Sequence, residues 1–222
     1  MITLYCKFEH MKPSDAYLSA LLKGNRAECS QIVQAYLASN ASLVELYEEV
    51  MKPALYEVGR LWETNMISVA REHIATAITE GIMNELYASI AAVEKAPYRV
   101  VLTCVENEPH QVGIKMVSDI FEMNGWDAYY VGSGIPPSEI IASIKEFQPH
   151  LIAISLSVFF NYKSLVMLIK QIRESYPHMP LLIGGQAVRH LTNYKLPPFE
   201  NLTILDNLYL IKDYLSTFSS QK

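Results

Sequence analysis

Hydrophobic positions change their period once along the chain, near residue 93, and the change predicts two kinds of architecture. Through residue 92 the apolar positions keep helical spacing, that of helices with one buried face. Helix-end signals punctuate the pattern. Asn25 with Glu28 and Ser42 with Glu45 have capping-box spacing, Gly24 fits a helix stop, and Pro53 fits a break or a first helical position. The expected helices lie near 14–23, 26–39, 43–51, 54–63 and 67–92, which together make a bundle. "EKAPYR", residues 94–99, reads as a short linker. Beyond it the short apolar runs "RVVLTCV", "DAYYVG", "LIAISLSV", "PLLIGG" and "LTIL" alternate with helical stretches near 111–124, 137–147, 161–175 and 207–217. Strand-helix alternation of this kind predicts a parallel, doubly wound sheet. The expected architecture is therefore α followed by α/β. A helical bundle domain occupies 1–93, and a flavodoxin-like, Rossmann-like five-stranded sheet domain occupies 98–222.

In such sheets ligands bind beyond the carboxyl ends of the strands, where strand order reverses. For a flavodoxin-like order that point lies between the first and third strands, and the loops "ENEPHQ", "SVFFN" and "GGQA" meet there. Along the third strand Ile152, Ile154 and Leu156 take one face, while Ala153, Ser155 and Ser157 take the other. The small face either leaves a slot for a long polar ligand tail or lets a crossover helix pack close. Gly184 and Gly185, ending the next strand, permit close backbone approach. In the first loop His110 follows Glu108 by two residues. A carboxylate beside an imidazole fixes its tautomer and raises its basicity toward a metal. One histidine does not make a zinc site, but it can be the single axial ligand of a metal whose other positions a macrocycle fills. The alternative is an ordinary surface-loop histidine.

Composition narrows the classes further. The 222 residues are 50% hydrophobic and 18% charged, enough for one large core or two small ones, and the formal net charge is -5. No block of Lys and Arg exists, so direct nucleic-acid binding is not expected and any DNA connection runs through a partner. Cys6, Cys29 and Cys104 stand alone, without disulfide or thiolate-zinc spacing. No apolar run reaches the ~18 residues of a membrane span and no signal peptide opens the chain, which predicts a cytoplasmic protein with no membrane contact. GxGxxG after the first strand and GxxxxGK[ST] are both missing, against the common nucleotide cofactors. Glu106 and Glu108 imitate the acidic pair of a phosphoacceptor receiver, but "ISLS" offers no acceptor Asp.

"ExHxxG" at Glu108, His110 and Gly113, then Ser155 on the third strand, then "GG" at 184 and 185, resembles the cobalamin-binding domain of the methionine-synthase class, whose pattern is DxHxxG, SxL and GG. The stretch "YYVGSGIPPSEI" resembles the segment after the second strand in that class. In the helical half, "PALYEVGRLWETNMISVAREH" is similar to the cap of light-sensing, cobalamin-dependent transcriptional regulators, which carry a Trp followed by Val and Glu-His. Here these are Trp62, Val69, Glu72 and His73. The last three stand at i, i+3 and i+4 and so share a helix face, a pattern that ordinary core packing would also produce.

The resemblance implies a cobalamin cofactor, adenosyl or methyl form, with its cobalt bound by His110 as lower ligand and Glu108 behind it. It implies that Gly113 underlies the corrin, that Ser155 and Ser157 line the slot for the displaced nucleotide tail, and that Gly184 and Gly185 make room for it. Trp62, Val69, Glu72 and His73 would face the upper axial group, placing the cofactor between cap and sheet domain. Departures exist. Glu108 stands where the methyltransferases have Asp and favours the sensor branch, Ser157 replaces the Leu of SxL, and Glu63 follows Trp62 where photoreceptors carry a ligating histidine. The bundle pattern begins almost at the first residue, so direct gene regulation through a helix-turn-helix is not expected. The expectation is a non-enzymatic cobalamin sensor, a light-responsive photoreceptor signalling through a homo-oligomer or a protein partner such as a transcriptional regulator. The alternatives are a corrinoid carrier of a methyltransferase system and a cofactor-free interaction scaffold.

Overall fold

The computed structural model describes residues 11–90, 94–190 and 196–220; Cys6 and the expected domain edge at residue 93 lie outside them. The chain divides into two compact units, Met1–Ala88 and Ser89–Lys222.

The first unit is helical. Helix α1 (Pro13–Lys23) begins with proline in its first turn and ends on Gly24 at φ 70, a left-handed stop that glycine adopts without a Cβ penalty. Helix α2 (Arg26–Ala38) is capped by Asn25, whose side chain accepts from the Glu28 amide. At Ser42 the full capping box forms: the hydroxyl accepts from the Glu45 amide and the Glu45 carboxylate accepts from the Ser42 amide, an arrangement that stabilises the helix by about 1 kcal/mol.

Of the two places expected for Pro53 the structure shows the helical one, in the first turn of the helix that starts at Lys52, and no break precedes it. Helix α3 (Leu43–Glu45), a π-helical stretch (Leu46–Met51) and α4 (Lys52–Glu63) run on, with αR backbone at each junction. The reason is local. Proline has no N–H for the carbonyl four residues back, and a π turn widens the backbone so that the Lys52 amide reaches Tyr47, five back. Helix α5 (Val69–Ile90) completes the unit. Its buried Thr79 meets the Tyr17 hydroxyl of α1 at 3.1 Å, so both hydroxyls are satisfied in the core.

The second unit is the expected doubly wound sheet. Strands β1 (Arg99–Cys104), β2 (Asp127–Gly132), β3 (Leu151–Ser155), β4 (Leu181–Gly184) and β5 (Leu202–Ile204) are all parallel, in order β2-β1-β3-β4-β5. Every residue of β3 is buried, as is β1 after Arg99, which is why both read as continuous apolar runs. Helices α6 (Val112–Met123), α7 (Pro137–Phe147), α8 (Tyr162–Ser175) and α9 (Leu208–Ser220) follow strands β1, β2, β3 and β5. Packing pairs α7 with α8 and α6 with α9, one pair on each face of the sheet. Ile152, Ile154 and Leu156 join Ile140, Ile144, Leu165 and Ile169 in the core under α7 and α8.

Gly185 is set by this packing. It sits at φ +103, and a Cβ there would lie 2.3 Å from the Leu156 carbonyl oxygen. Gly185→Ala is expected to cost at least about 2 kcal/mol, because strained backbone and a backbone clash act together. Urea unfolding of the variant checks this, and an unchanged midpoint would contradict it.

The histidine site at the strand ends

Strand order reverses between β1 and β3, and the loops leaving these strands meet around one carboxylate. The Leu156 amide donates to Gly184 and the Ala187 amide donates to Leu156, so the ends of β3 and β4 are locked together. After β1 the Val105 amide still donates to Ser155; the chain then turns through Asn107 at φ 65, and the Glu108 amide returns to the Val105 carbonyl. This turn aims the Glu108 side chain inward, where it is fully buried.

Both carboxylate oxygens of Glu108 are engaged. Oε1 contacts His110 Nδ1 and accepts from the His110 amide at 3.2 Å. Oε2 accepts from the amides of Ser157 at 3.1 Å and Val158 at 2.8 Å, and from Asn161 Nδ2 at 3.4 Å. Burial acts to raise the carboxyl pKa, but the hydrogen bonds from His110 and Val158 and the His110 charge outweigh it, and the net shift is downward. Glu108 is therefore an anion. Since a carboxylate has no proton to donate, Nδ1 carries a proton whether or not His110 is charged, and Nε2 has the lone pair whenever the imidazole is neutral. The imidazole remains 42% exposed while its carboxylate is sealed.

The sequence places Glu108 and His110 together; what it does not reveal is the other half of the clamp. Asn161 and the amides of Ser157 and Val158 come from the "SVFFN" loop, and backbone donors leave no side-chain signal. The contact between Glu108 and His110 is direct. Ser157 corrects the strand reading: β3 ends at Ser155, and the Ser157 amide turns to Glu108 instead of continuing a ladder, so alternation does not carry to that residue.

Ala153 and Ser155 lie on the small face as expected, but both are buried, Ser155 to 3% exposure. Cys104, Ser155 and Gly184 are register partners, a row of small side chains across three strands. Burial pushes the Cys104 thiol up to about 12, which favours the neutral thiol. A Cβ on Gly184 would stand 3.4 Å from the Leu205 carbonyl, whereas one on Gly113 would meet nothing within 4 Å. Gly113, near the start of α6, thus faces open space, and no packing within the unit explains a residue that costs a helix about 1 kcal/mol relative to Ala. Gln111 Oε1 accepts from the Ser133 hydroxyl at 3.1 Å and ties the histidine loop to the β2 loop.

In the helical unit, core packing does not account for the Trp-Val-Glu-His pattern. Trp62 in the last turn of α4 is 39% exposed, and Val69 at the start of α5 is 52% exposed. His73 Nδ1 lies 2.5 Å from Glu72 Oε2, and the Thr76 hydroxyl donates to Glu72 Oε1 at 2.9 Å. The His73 side chain is 74% exposed. Glu63 is exposed as well.

Among the described residues, no group of three or more His, Cys, Asp or Glu could hold a metal ion. One oriented imidazole and an open glycine near it stand at a flavodoxin-like switch point. Two family models, each described as "B12 binding domain", match residues 14–87 and 98–193. The chain belongs to this cobalamin-binding family, and its cofactor is cobalamin with its cobalt.

Two curated relatives differ in kind. The HTH-type transcriptional repressor CarH of Myxococcus xanthus is 22% identical over 79% of this chain and 58% of its own length. The methanol–corrinoid protein of Methanosarcina barkeri is 21% identical over 81% of this chain and 71% of its own. The chain thus spans little more than half of the repressor it matches. In fold it is like the Methanosarcina barkeri monomethylamine corrinoid protein, with TM-score 0.75 and 14% identity over 92% of this chain and 98% of that one. No helix among the described residues is long and apolar enough to cross a membrane.

Proposed function

We propose that this chain is a cytoplasmic cobalamin sensor, without enzymatic activity of its own, in which His110 Nε2 is the lower cobalt ligand. The clamp on Glu108 carries this reading, because it fixes the tautomer and leaves the one nitrogen a metal can use. Gly113 leaves room for a macrocycle above the start of α6. The row Cys104, Ser155 and Gly184, with Ser157 and Gly185 beyond it, is the course assigned to the nucleotide tail. A bound alkylcobalamin supplies a cobalt–carbon bond that visible light can break. Trp62, Val69, Glu72 and His73 are the contacts assigned to the upper axial group, and the exposure of Trp62, Val69 and His73 leaves those three available for it. A signal requires that these residues interact differently with the cofactor before and after illumination, and that an oligomer or a protein partner, such as a transcriptional regulator, responds.

A second reading, a corrinoid carrier between methyltransferase partners, is favoured by one observation: the match takes in 71% of the methanol–corrinoid protein against 58% of the repressor. Absorption spectra of the chain loaded with adenosyl- or methylcobalamin, dark and illuminated, with oligomeric state measured in parallel, separate the two. A sensor bleaches in seconds and changes its assembly or partner affinity. A carrier keeps its assembly and exchanges methyl groups with a substrate system. A chain that acquires no colour refutes both.

A further inference from the structure

Phe160 is 90% exposed, and among the described residues no large apolar side chain is more so. Its exposure is enforced. Phe159 takes the inward place, packed against the sheet core with its ring stacked on Tyr162 at 5.8 Å between centroids. On one side of Phe160 the Val158 amide is held by Glu108 at 2.8 Å. On the other, the Asn161 amide donates to the Val158 carbonyl at 3.0 Å and Asn161 Nδ2 reaches Glu108 at 3.4 Å. The short 3-10 turn Phe159–Asn161 is thereby pinned at both ends, and Phe160 stands out from it with little backbone entropy left to lose.

The carboxylate that pins this turn is the one that orients the imidazole. Oε1 touches His110 and Oε2 holds the turn, so the loop lies directly beside the ligand. A planar macrocycle bound through His110 Nε2 has to extend over whatever flanks the imidazole. Exposed on the two loops tied to Glu108 and His110 are the open Gly113, at the start of α6, and Val158, 38% exposed, with Phe160, after β3. A corrin rim is methyl-bearing and apolar between its amide arms, a surface that an aromatic side chain complements.

We propose that Phe160, seconded by Val158, is a cofactor-binding residue on which the rim of the corrin rests beside its lower ligand. This rests on the cobalamin reading above. The test is a spectral titration of the full chain with aquacobalamin, comparing wild type, Phe160→Ala and Phe160→Leu, with apo-protein melting as a control on folding. Phe160→Ala is expected to bind about ten-fold more weakly, equivalent to about 1.4 kcal/mol, with the histidine-ligated spectrum unchanged at saturation. Phe160→Leu should recover most of the affinity, and neither variant should shift the melt. A Phe160→Ala affinity within about two-fold of wild type would overturn the proposal while leaving the His110 reading intact. A wild type that binds no cobalamin, or binds it without histidine ligation, overturns both, and is told apart because the parent chain itself then fails.

Discussion

Glu108→Gln is expected to keep the chain folded and yet weaken histidine ligation of cobalt. The amide is isosteric with the carboxylate, and its oxygen can still accept from the Ser157 and Val158 amides, now held at 3.1 and 2.8 Å. The NH2 group then faces His110 Nδ1 and leaves the His110 amide, which donates to the same carboxylate oxygen in the wild type, without its acceptor. An amide N–H can only donate, so Nδ1 has to accept, and the imidazole proton moves to Nε2, where it occupies the lone pair that cobalt needs. Loss of a partner behind a metal ligand typically costs 10–100-fold in affinity, and about that loss is predicted for cobalamin here.

Glu108→Ala differs in a way that can be measured. It strands the His110, Ser157 and Val158 amides and Asn161 Nδ2, and should cost about 3 kcal/mol of apo-protein stability besides the affinity. Urea unfolding of the two variants beside cobalamin titration checks the pair. Gln binding like wild type would show that Glu108 does not set the tautomer.

His110→Ala should have the largest effect on the cofactor. Burial pushes the nearby Cys104 thiol up to about 12, away from the thiolate form that binds a metal. Affinity should fall on the order of a hundred-fold or more, beyond what loss of the supporting carboxylate produces. Apo-protein stability should fall as well, by about 1–3 kcal/mol, because the buried Glu108 carboxylate loses its imidazole partner. Any cobalamin that still binds should carry the spectrum of a cofactor without histidine ligation. Spectra and affinities equal to wild type would remove His110 from the site.

Much of this was legible in the sequence, and the limits have physical causes. The strands were readable because buried parallel strands are apolar throughout, and the order β2-β1-β3-β4-β5 is the flavodoxin-like order expected. Pro53 does lie in a first helical turn, one of its two expected places, but the unbroken helix before it was not legible, because helix rules assume an α-helical ladder and a π turn removes the conflict. The Glu108–His110 pair was visible as two residues, but its clamp was not. Two of its donors are backbone amides of residues 157 and 158, which any side chain could have supplied. The two glycines of "GG" looked alike in sequence and differ in structure: Gly185 is demanded by the Leu156 backbone, while Gly184 has only a 3.4 Å neighbour. Trp62 and Val69 were compatible with core or with ligand contact from spacing alone, and their exposure decides against the core.

The central claim is that a nitrogen of His110 is bonded to cobalt. Electron paramagnetic resonance of the chain loaded with cobalamin in its cobalt(II) state tests it most directly, because an axial nitrogen splits the cobalt lines according to its own nuclear spin. Protein labelled with 15N-histidine and given unlabelled cofactor should change each superhyperfine triplet into a doublet, and His110→Ala should abolish the doublet. Triplets that persist in the labelled protein would assign the axial nitrogen to the cofactor's own base and contradict the claim.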